Sequence, residues 1–200
     1  MVTDLDGLTH IADTVRDAVL RTHHERSCLM STRVFIAAAR YFGVFARPVP
    51  VTVIYLNHAM VQAIDAELHE DQYPADAWSV GVEGTGQFGL HNDPKGWDGH
   101  MVAVAGEALV DPSADQFSRP EKNMQIGPFA AQCPPGWGKP GDTNPLVLRS
   151  GASGAVLRYL PMPDPGEWKQ GNDWKGHKRI ADEAIGGTIR ALKGEGFQLR

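Results

Sequence analysis

The segment from Cys28 to Phe42 constrains the fold more than any other part of the chain. Taken as a helix, it is apolar on almost every side. Such a helix is stable in water only when other elements cover it, so the segment predicts a central buried helix. Gly43 follows it, at the position where helices commonly end in a left-handed glycine. The apolar residues are Leu29, Met30, Val34, Phe35, Ile36, Ala37, Ala38, Tyr41 and Phe42.

Two further segments predict amphipathic helices. From Leu5 to Thr22 the apolar residues fall at helical spacing along one stripe. From about Asp173 to Lys193 a similar stripe recurs, although Gly186 and Gly187 weaken the middle of that helix. A short helix is predicted from Asn57 to Tyr73. These helices are the elements that would cover the central one.

Strands are predicted where β-branched and other apolar residues cluster between turn signals. They are Pro48 to Leu56, Trp78 to Val82, a hairpin from His100 to Asp111, and Ala155 to Leu160. Two stretches rich in glycine or proline, residues 84–99 and 118–144, are predicted to be surface loops. The order of elements indicates one α+β domain over residues 1–200, with helices packed on a mostly antiparallel sheet.

The composition and charge exclude several classes of partner. The 200 residues suit one compact domain with a hydrophobic core. A net charge of −5 without a basic stripe argues against a nucleic-acid partner, and no apolar run approaches the roughly 20 residues that span a bilayer. The first residues lack the pattern of a secretory signal, and two cysteines are too few for a disulfide framework. A cytoplasmic protein with reduced thiols is therefore expected.

Cys28 stands where the buried helix is predicted to begin. A thiol in the first turn of a helix lies at the positive end of the helix dipole, which favours the reactive thiolate. The unpaired backbone N–H groups of that turn can bind a developing oxyanion. Ser27 is predicted to cap the helix through its hydroxyl. Taken alone, Cys28 is equally well explained as a small buried apolar residue.

His100 and Asp111 give Cys28 a catalytic context. The Gly-Glu pair at 106–107 fits a two-residue type II′ turn, which fixes the register of the hairpin. That register places His100 and Asp111 on one face as diagonal neighbours, roughly 7–8 Å apart between backbones. Their side chains can meet across that distance, and a carboxylate there would fix the imidazole tautomer. A register shift of one residue would separate them.

These segments resemble the transglutaminase-like, papain-type cysteine enzymes. Cys28 enters a buried helix, ARYFGVFARPVPVTV leads from that helix into a strand, and GHMVAVAGEALVDPSADQF has a histidine that opens a strand and an Asp-Pro that ends the next. The resemblance covers about Ser27 to Phe117. Family members often carry an aromatic residue after the cysteine, where this chain has Leu29, and another shortly after the histidine, where it has Met101 and Val102.

The resemblance implies an antiparallel sheet against the cysteine-bearing helix, and acyl-enzyme chemistry that needs no cofactor. It implies that Cys28 is the nucleophile, His100 the base and Asp111 the acid that orients the histidine. The expected activity is hydrolysis of an amide or peptide bond in the substrate. Transfer of the acyl group to an amine, and a catalytically inactive binding module, are the alternatives.

Three other residues have weaker assignments. His24, shortly before the predicted nucleophile, is a candidate donor to the oxyanion or to a substrate group. Asn57, at the end of a predicted strand, is a candidate to point into the site. Cys133, in a loop rich in proline and glycine, is predicted to be a passive thiol.

A metal hydrolase is the alternative with a different chemistry. It would draw its ligands from His91, Asp93, Asp98 and His100. Nitrogen and oxygen ligands of this kind bind zinc and other transition metals. Their spacing matches no pattern typical of a metal site, so a thiol enzyme without a metal is the prediction.

Overall fold

A layer of helices packs against one face of an antiparallel sheet in the computed structural model, which describes residues 4–22, 27–82, 99–163, 166–170 and 172–199. None of the helices in these ranges is long and apolar enough to cross a membrane. The helices are α1 (Leu5–Thr22), α2 (Cys28–Tyr41), α3 (His58–Asp65), α4 (Asn172–Lys175) and α5 (Lys178–Gly194).

The sheet has seven strands, and every pair of neighbours is antiparallel. The strands are β1 (Ala46–Leu56), β2 (Ser79–Val82), β3 (His100–Ala105), β4 (Ala108–Asp111), β5 (Phe129–Gln132), β6 (Leu146–Arg149) and β7 (Val156–Pro161). Their order is β5-β4-β3-β1-β7-β6, and β2 also pairs with β1. The predicted α+β class with an antiparallel sheet is therefore confirmed.

The central strand β1 organises this sheet. Its first part pairs with β3, where Val51 lies opposite His100, and its last part pairs with β2, where Val53 lies opposite Val82. Strand β7 runs along residues 51–56 of β1, so that Val51 is also opposite Pro161. The start of β3 is thus held in the middle of the sheet, between strands that come from distant parts of the sequence.

Helix α2 begins at Cys28 as predicted, but it is not covered on every side. Its last turn reaches solvent, because Tyr41 is 54% exposed and Arg40 is exposed too. Gly43 has a φ of +85°, and its N–H bonds the carbonyl of Arg40. This left-handed glycine ends the helix in the way the sequence indicates.

Two predicted helices are interrupted by residues in the left-handed region. The helix expected from Asn57 to Tyr73 ends at Asp65, because Glu67 adopts a φ of +53° and only a short 3₁₀ turn follows at Glu70–Gln72. The C-terminal helix is divided at His177, whose φ is +48°. Neither residue is a glycine, so the usual sequence signal for such a break is missing.

The prediction that residues 118–144 only wrap the surface is wrong. Strand β5 lies in this stretch and pairs with β4, and Met124, Cys133 and Trp137 are buried in it. The guanidinium of Arg47 donates to the carbonyls of Trp137 and Gly138, at 2.7 Å each, and so fastens the loop to β1. Strand β6 was also not predicted.

The two faces of the β3–β4 hairpin contribute to separate cores. Its helix-facing residues are mostly alanine, which lets α1 and α2 approach the sheet closely; they are Ala103, Ala105, Ala108 and Val110. The opposite face packs on β1, β7 and the loop after β4, and its residues are Val102, Val104 and Leu109. The sheet is therefore covered on both sides, and alternation places His100 and Asp111 with the second core.

One buried hydrogen bond joins α2 directly to β3. The hydroxyl of Thr32 donates to the carbonyl of Met101 at 2.9 Å, between the turn that begins with Cys28 and the strand that begins with His100. We expect Thr32→Val to lower the free energy of unfolding by about 1–3 kcal/mol, because it leaves a buried carbonyl without this donor. Denaturation in urea measures the change.

Thr188→Val is the matched control. Thr188 is equally buried, but its hydroxyl bonds only the carbonyl of Ala184 in its own helix, at 2.9 Å. The carbonyl of Ala184 also takes part in the backbone hydrogen bonding of the helix. Removal of the Thr188 hydroxyl should therefore lower the free energy of unfolding by less than removal of the Thr32 hydroxyl. Equal decreases in the free energy of unfolding for the two substitutions would show that the bond between α2 and β3 contributes no more than a bond within one helix.

Candidate active site

His100 and Asp111 form a buried hydrogen-bonded pair. The Nε2 atom of His100 lies 2.8 Å from Oδ2 of Asp111, and the two side chains are 2% and 0% exposed. The hairpin has the predicted register: Ala105 is opposite Ala108, and Gly106 adopts a φ of +61° in the turn. An ionised carboxylate only accepts hydrogen bonds, so Nε2 carries the proton.

Asp111 is held by further donors from two residues, Ser113 and Tyr159. The N–H of Ser113 bonds Oδ1 at 3.0 Å, and the hydroxyl of Tyr159 bonds Oδ2 at 2.9 Å. Sequence reasoning missed Tyr159, although it falls in a predicted strand. Its role depends on β7 pairing with β1, and no local pattern reveals that pairing.

The ring of His100 is also fixed by packing. It meets the ring of Phe117 edge-on, with 5.0 Å between centroids. Phe117 belongs to a 3₁₀ turn, Ala114–Phe117, that closely follows Asp111. The same short stretch of chain therefore supplies the carboxylate that orients the imidazole and the ring that limits its rotation.

Cys28 reaches this pair from the helical layer. Its side chain is partly exposed and lies close enough to the side chain of His100 to help raise the pKa of the imidazole. Because Nε2 of His100 is committed to Asp111, Nδ1 is the ring nitrogen left for the thiol. The two layers can meet here because His100 is the first residue of β3, at the end of the strand. The three residues named from the sequence thus lie together in one line of contacts.

The charge state of His100 follows from these contacts. Burial by itself lowers the pKa of His100, but the charge and hydrogen bond of Asp111, assisted by Cys28, raise it to about 10. The ring is then an imidazolium at neutral pH. The raised pKa thus places a cation next to the sulfur of Cys28.

The first turn of α2 offers backbone donors beside the sulfur. The N–H of Ser31 bonds the carbonyl of Ser27 at 2.9 Å, while the N–H of Cys28 precedes the first bond of the helical ladder. The predicted side-chain cap is wrong: within the described residues the hydroxyl of Ser27 is buried and makes no hydrogen bond. The positive end of the helix is therefore not screened by that hydroxyl.

An apolar cluster packs against the side chain of Cys28. Leu29, Met101 and Trp168 are buried together, and Cys28 and Trp174 pack against them, each partly buried. The two indoles meet edge-on, with 4.6 Å between centroids. The aromatic rings of this cluster come from the C-terminal part of the chain.

The other sequence-predicted residues lie apart from this cluster or outside the described ranges. Asn57 caps α3: its Oδ1 accepts from the N–H groups of Met60 and Trp78, and its Nδ2 donates to Asp76. It is six residues along β1 from Val51, which is opposite His100, or about 20 Å at the usual rise of a strand. Asn57 thus has a structural role, and its proposed place in the site is wrong. His24 lies outside the described residues.

Cys133 is only 2% exposed, although the segment that contains it was predicted to lie on the surface. Burial raises the pKa of its thiol, although the nearby charge of Arg47 opposes the shift. The raised pKa disfavours the thiolate, as expected of a passive thiol.

The metal alternative falls largely on undescribed residues. His91, Asp93 and Asp98 lie outside the ranges that the structure describes. Within those ranges no group of three or more histidine, cysteine or acidic side chains is arranged to hold a metal ion. The nitrogen of His100 that faces the sheet is bonded to Asp111, which leaves one ring nitrogen for any other partner.

No family model matches the chain, and no curated protein and no solved structure is significantly similar to it. The candidate function therefore depends on the geometry of the described residues.

The raised pKa of His100 predicts a pH-dependent stability. An unfolded histidine titrates near pH 6.5, so the protonated ring stabilises the fold fully below that pH, and the stabilisation is lost as pH rises towards 10. We expect the free energy of unfolding to fall between about pH 7 and 10, and we expect His100→Gln to remove this part of the fall. Urea denaturation at a series of pH values measures both.

His10→Gln is the control for this experiment. His10 also contacts a carboxylate, Glu195, at 2.7 Å, but its side chain is 46% exposed. Its substitution should leave the slope between neutral and alkaline pH unchanged, because exposed pairs contribute little. A wild-type slope that persists in His100→Gln would contradict a protonated His100.

Proposed function

We propose that this protein is a thiol-dependent acyl-transfer enzyme of the transglutaminase-like, papain type. It hydrolyses an amide or peptide bond through an acyl-enzyme on Cys28. The observation that supports the proposal most strongly is the line of contacts from Cys28 through His100 to Asp111, in which a partly exposed cysteine adjoins a buried imidazolium–carboxylate pair.

The first half of the reaction uses the thiolate and the imidazolium. The sulfur of Cys28 bonds to the carbonyl carbon, and the electron pair of the C=O double bond moves to oxygen. The N–H of Cys28 donates to that oxyanion. The C–N bond then breaks, and the amine leaves with the proton from Nδ1 of His100. The products are a thioester on Cys28 and a neutral imidazole.

The second half returns the site to its resting state. Nδ1 of His100 removes a proton from water, whose oxygen attacks the thioester carbon. The C–S bond breaks, the acid departs, and the thiolate again faces an imidazolium. Asp111 remains ionised throughout and keeps the proton on Nε2. An amine in place of water would give transfer instead of hydrolysis by the same steps.

The apolar surroundings of Cys28 assist both halves. Cys28 packs against Leu29 and Trp168, and its side chain is therefore only partly exposed to water. Electrostatic interactions are stronger where water is excluded, so the imidazolium stabilises the thiolate more than it would in solution. Solvent exclusion also protects a thioester from uncontrolled attack by water.

Mass spectrometry of the intact protein tests this proposal. Incubation with a library of peptides, amides and esters should add one acyl group to Cys28, and Cys28→Ala should abolish both the adduct and turnover. Cys133→Ala, which removes the buried thiol, should retain both. Turnover that survives in Cys28→Ala would overturn the thiol mechanism. Turnover lost to a chelator and restored by zinc would move the assignment to the metal alternative.

Asp111→Asn should lower turnover strongly while the protein remains folded. The amide keeps the shape of the side chain but removes the charge that holds the proton on His100. In a serine-protease triad the same change costs about 10⁴ in turnover. We expect a smaller loss here, because a thiol ionises more easily than a serine hydroxyl. Steady-state kinetics measure turnover, and circular dichroism measures folding.

Asp142→Asn is the matched control for this substitution. Asp142 also accepts hydrogen bonds from backbone N–H groups, those of Gly138 and Asn144, but these partners belong to its own loop. Turnover should be unchanged in this variant. Equal kinetics for the two variants would remove Asp111 from the mechanism.

A further inference from the structure

We propose that Tyr159 is a positioning residue of this site, which keeps the carboxylate of Asp111 ionised and so sets the pH range in which the proton of the pair resides on His100. The consequence for turnover rests on the proposed function. The position of the proton does not, because it can be located without a substrate.

The phenol of Tyr159 bonds the same carboxylate oxygen of Asp111 that His100 bonds. Tyr159 donates to Oδ2 of Asp111 at 2.9 Å, and the same oxygen accepts Nε2–H of His100 at 2.8 Å. Tyr159 is 0% exposed, so its hydroxyl has no access to water as an alternative partner. A hydrogen bond to a buried carboxylate stabilises the charged form, which is the form that the imidazolium requires.

The phenol remains a donor over the whole working range. Burial, together with the charge and hydrogen bond of Asp111, raises the pKa of Tyr159 well above its ordinary value. Its proton therefore stays in place while the rest of the network titrates. Tyr159 acts through Asp111, and nothing in the proposed reaction requires it to touch the substrate.

Few other ionisable groups bear on this pair within the described residues. The groups packed around it, apart from Tyr159, are Cys28 from α2, Ser113 and Phe117 after β4, Phe129 of β5 opposite Asp111, and Val51 of β1 opposite His100. Of these, Cys28 has the one ionisable side chain. Arg16 of α1 and Asp115 of the turn after β4 are paired with each other at 2.8 Å.

Removal of the phenol has a predictable direction. Without its hydrogen bond the carboxylate of Asp111 becomes a better proton acceptor, so the acid limb of the pH profile moves to higher pH. The alkaline limb also moves up, because a carboxylate that no longer accepts from the phenol stabilises the imidazolium of His100 more strongly and delays the loss of its Nδ1 proton. Both steps belong to the pair as a unit. A residue that only fills space would move neither limb.

The test compares Tyr159→Phe with Tyr55→Phe. Tyr55 is buried in the same core, but its hydroxyl donates to the carbonyl of Gln125, at 3.4 Å. An NMR titration follows the His100 ring, whose signal is identified by its absence in His100→Gln. The pH dependence of kcat and KM is measured with one acyl donor. Tyr159→Phe should shift both limbs upward and lower kcat by about tenfold to a hundredfold, the size of one hydrogen bond to a charged group, with KM little changed.

A second variant guards against a Tyr159→Phe that fails to fold. A fluorinated tyrosine placed at position 159 keeps the ring and is a stronger donor, so it should shift the His100 titration downward. A His100 titration identical to that of the native protein in both variants would overturn the role of Tyr159. Shifted titrations in a protein that forms no acyl-enzyme would uphold that role and refute the proposed function.

Discussion

Two ionisable side chains, His100 and Asp111, are enclosed together with almost no exposed surface. Removal of two charges from water costs several kcal/mol per ion, and a buried pair offsets this cost only if its remaining donors and acceptors are satisfied. Here the carboxylate meets that condition through the N–H of Ser113 and the hydroxyl of Tyr159, and the imidazole through Cys28. The site is thus a network in which each member depends on the others.

The fold brings this network to the nucleophile by joining two cores at the end of one strand. His100 and Asp111 face the core that lies away from the helices, while Cys28 belongs to the helical layer. Along most of a strand, side chains on one face of the sheet cannot contact those on the other. His100 is the first residue of β3, so its side chain can contact a residue of the helical layer past the end of the strand. The bond from Thr32 to the neighbouring carbonyl of Met101 holds the helix at that point.

Local patterns were sufficient to predict the parts of the site that depend on short stretches of sequence. The register of the β3–β4 hairpin follows from its two-residue turn, and the start of α2 at Cys28 follows from the almost continuous apolar segment that begins there. Strand β5, the phenol of Tyr159 and the indole of Trp168 could not be predicted in this way. Their positions depend on pairings between distant segments, and a segment rich in proline and glycine gives no local sign that it adds a strand. Asn57 was misassigned because a strand-end asparagine can equally cap the next helix.

The placement of β7 has a consequence for the order in which the protein is assembled during synthesis. Cys28, His100 and Asp111 leave the ribosome well before Tyr159, and β1 has an open edge until β7 pairs with it. A nascent chain that ends before β7 would enclose the carboxylate of Asp111 without its phenol and would lack both indoles beside Cys28. The thiol would thus acquire its final electrostatic environment only after β7 and the two indoles have been synthesised and packed.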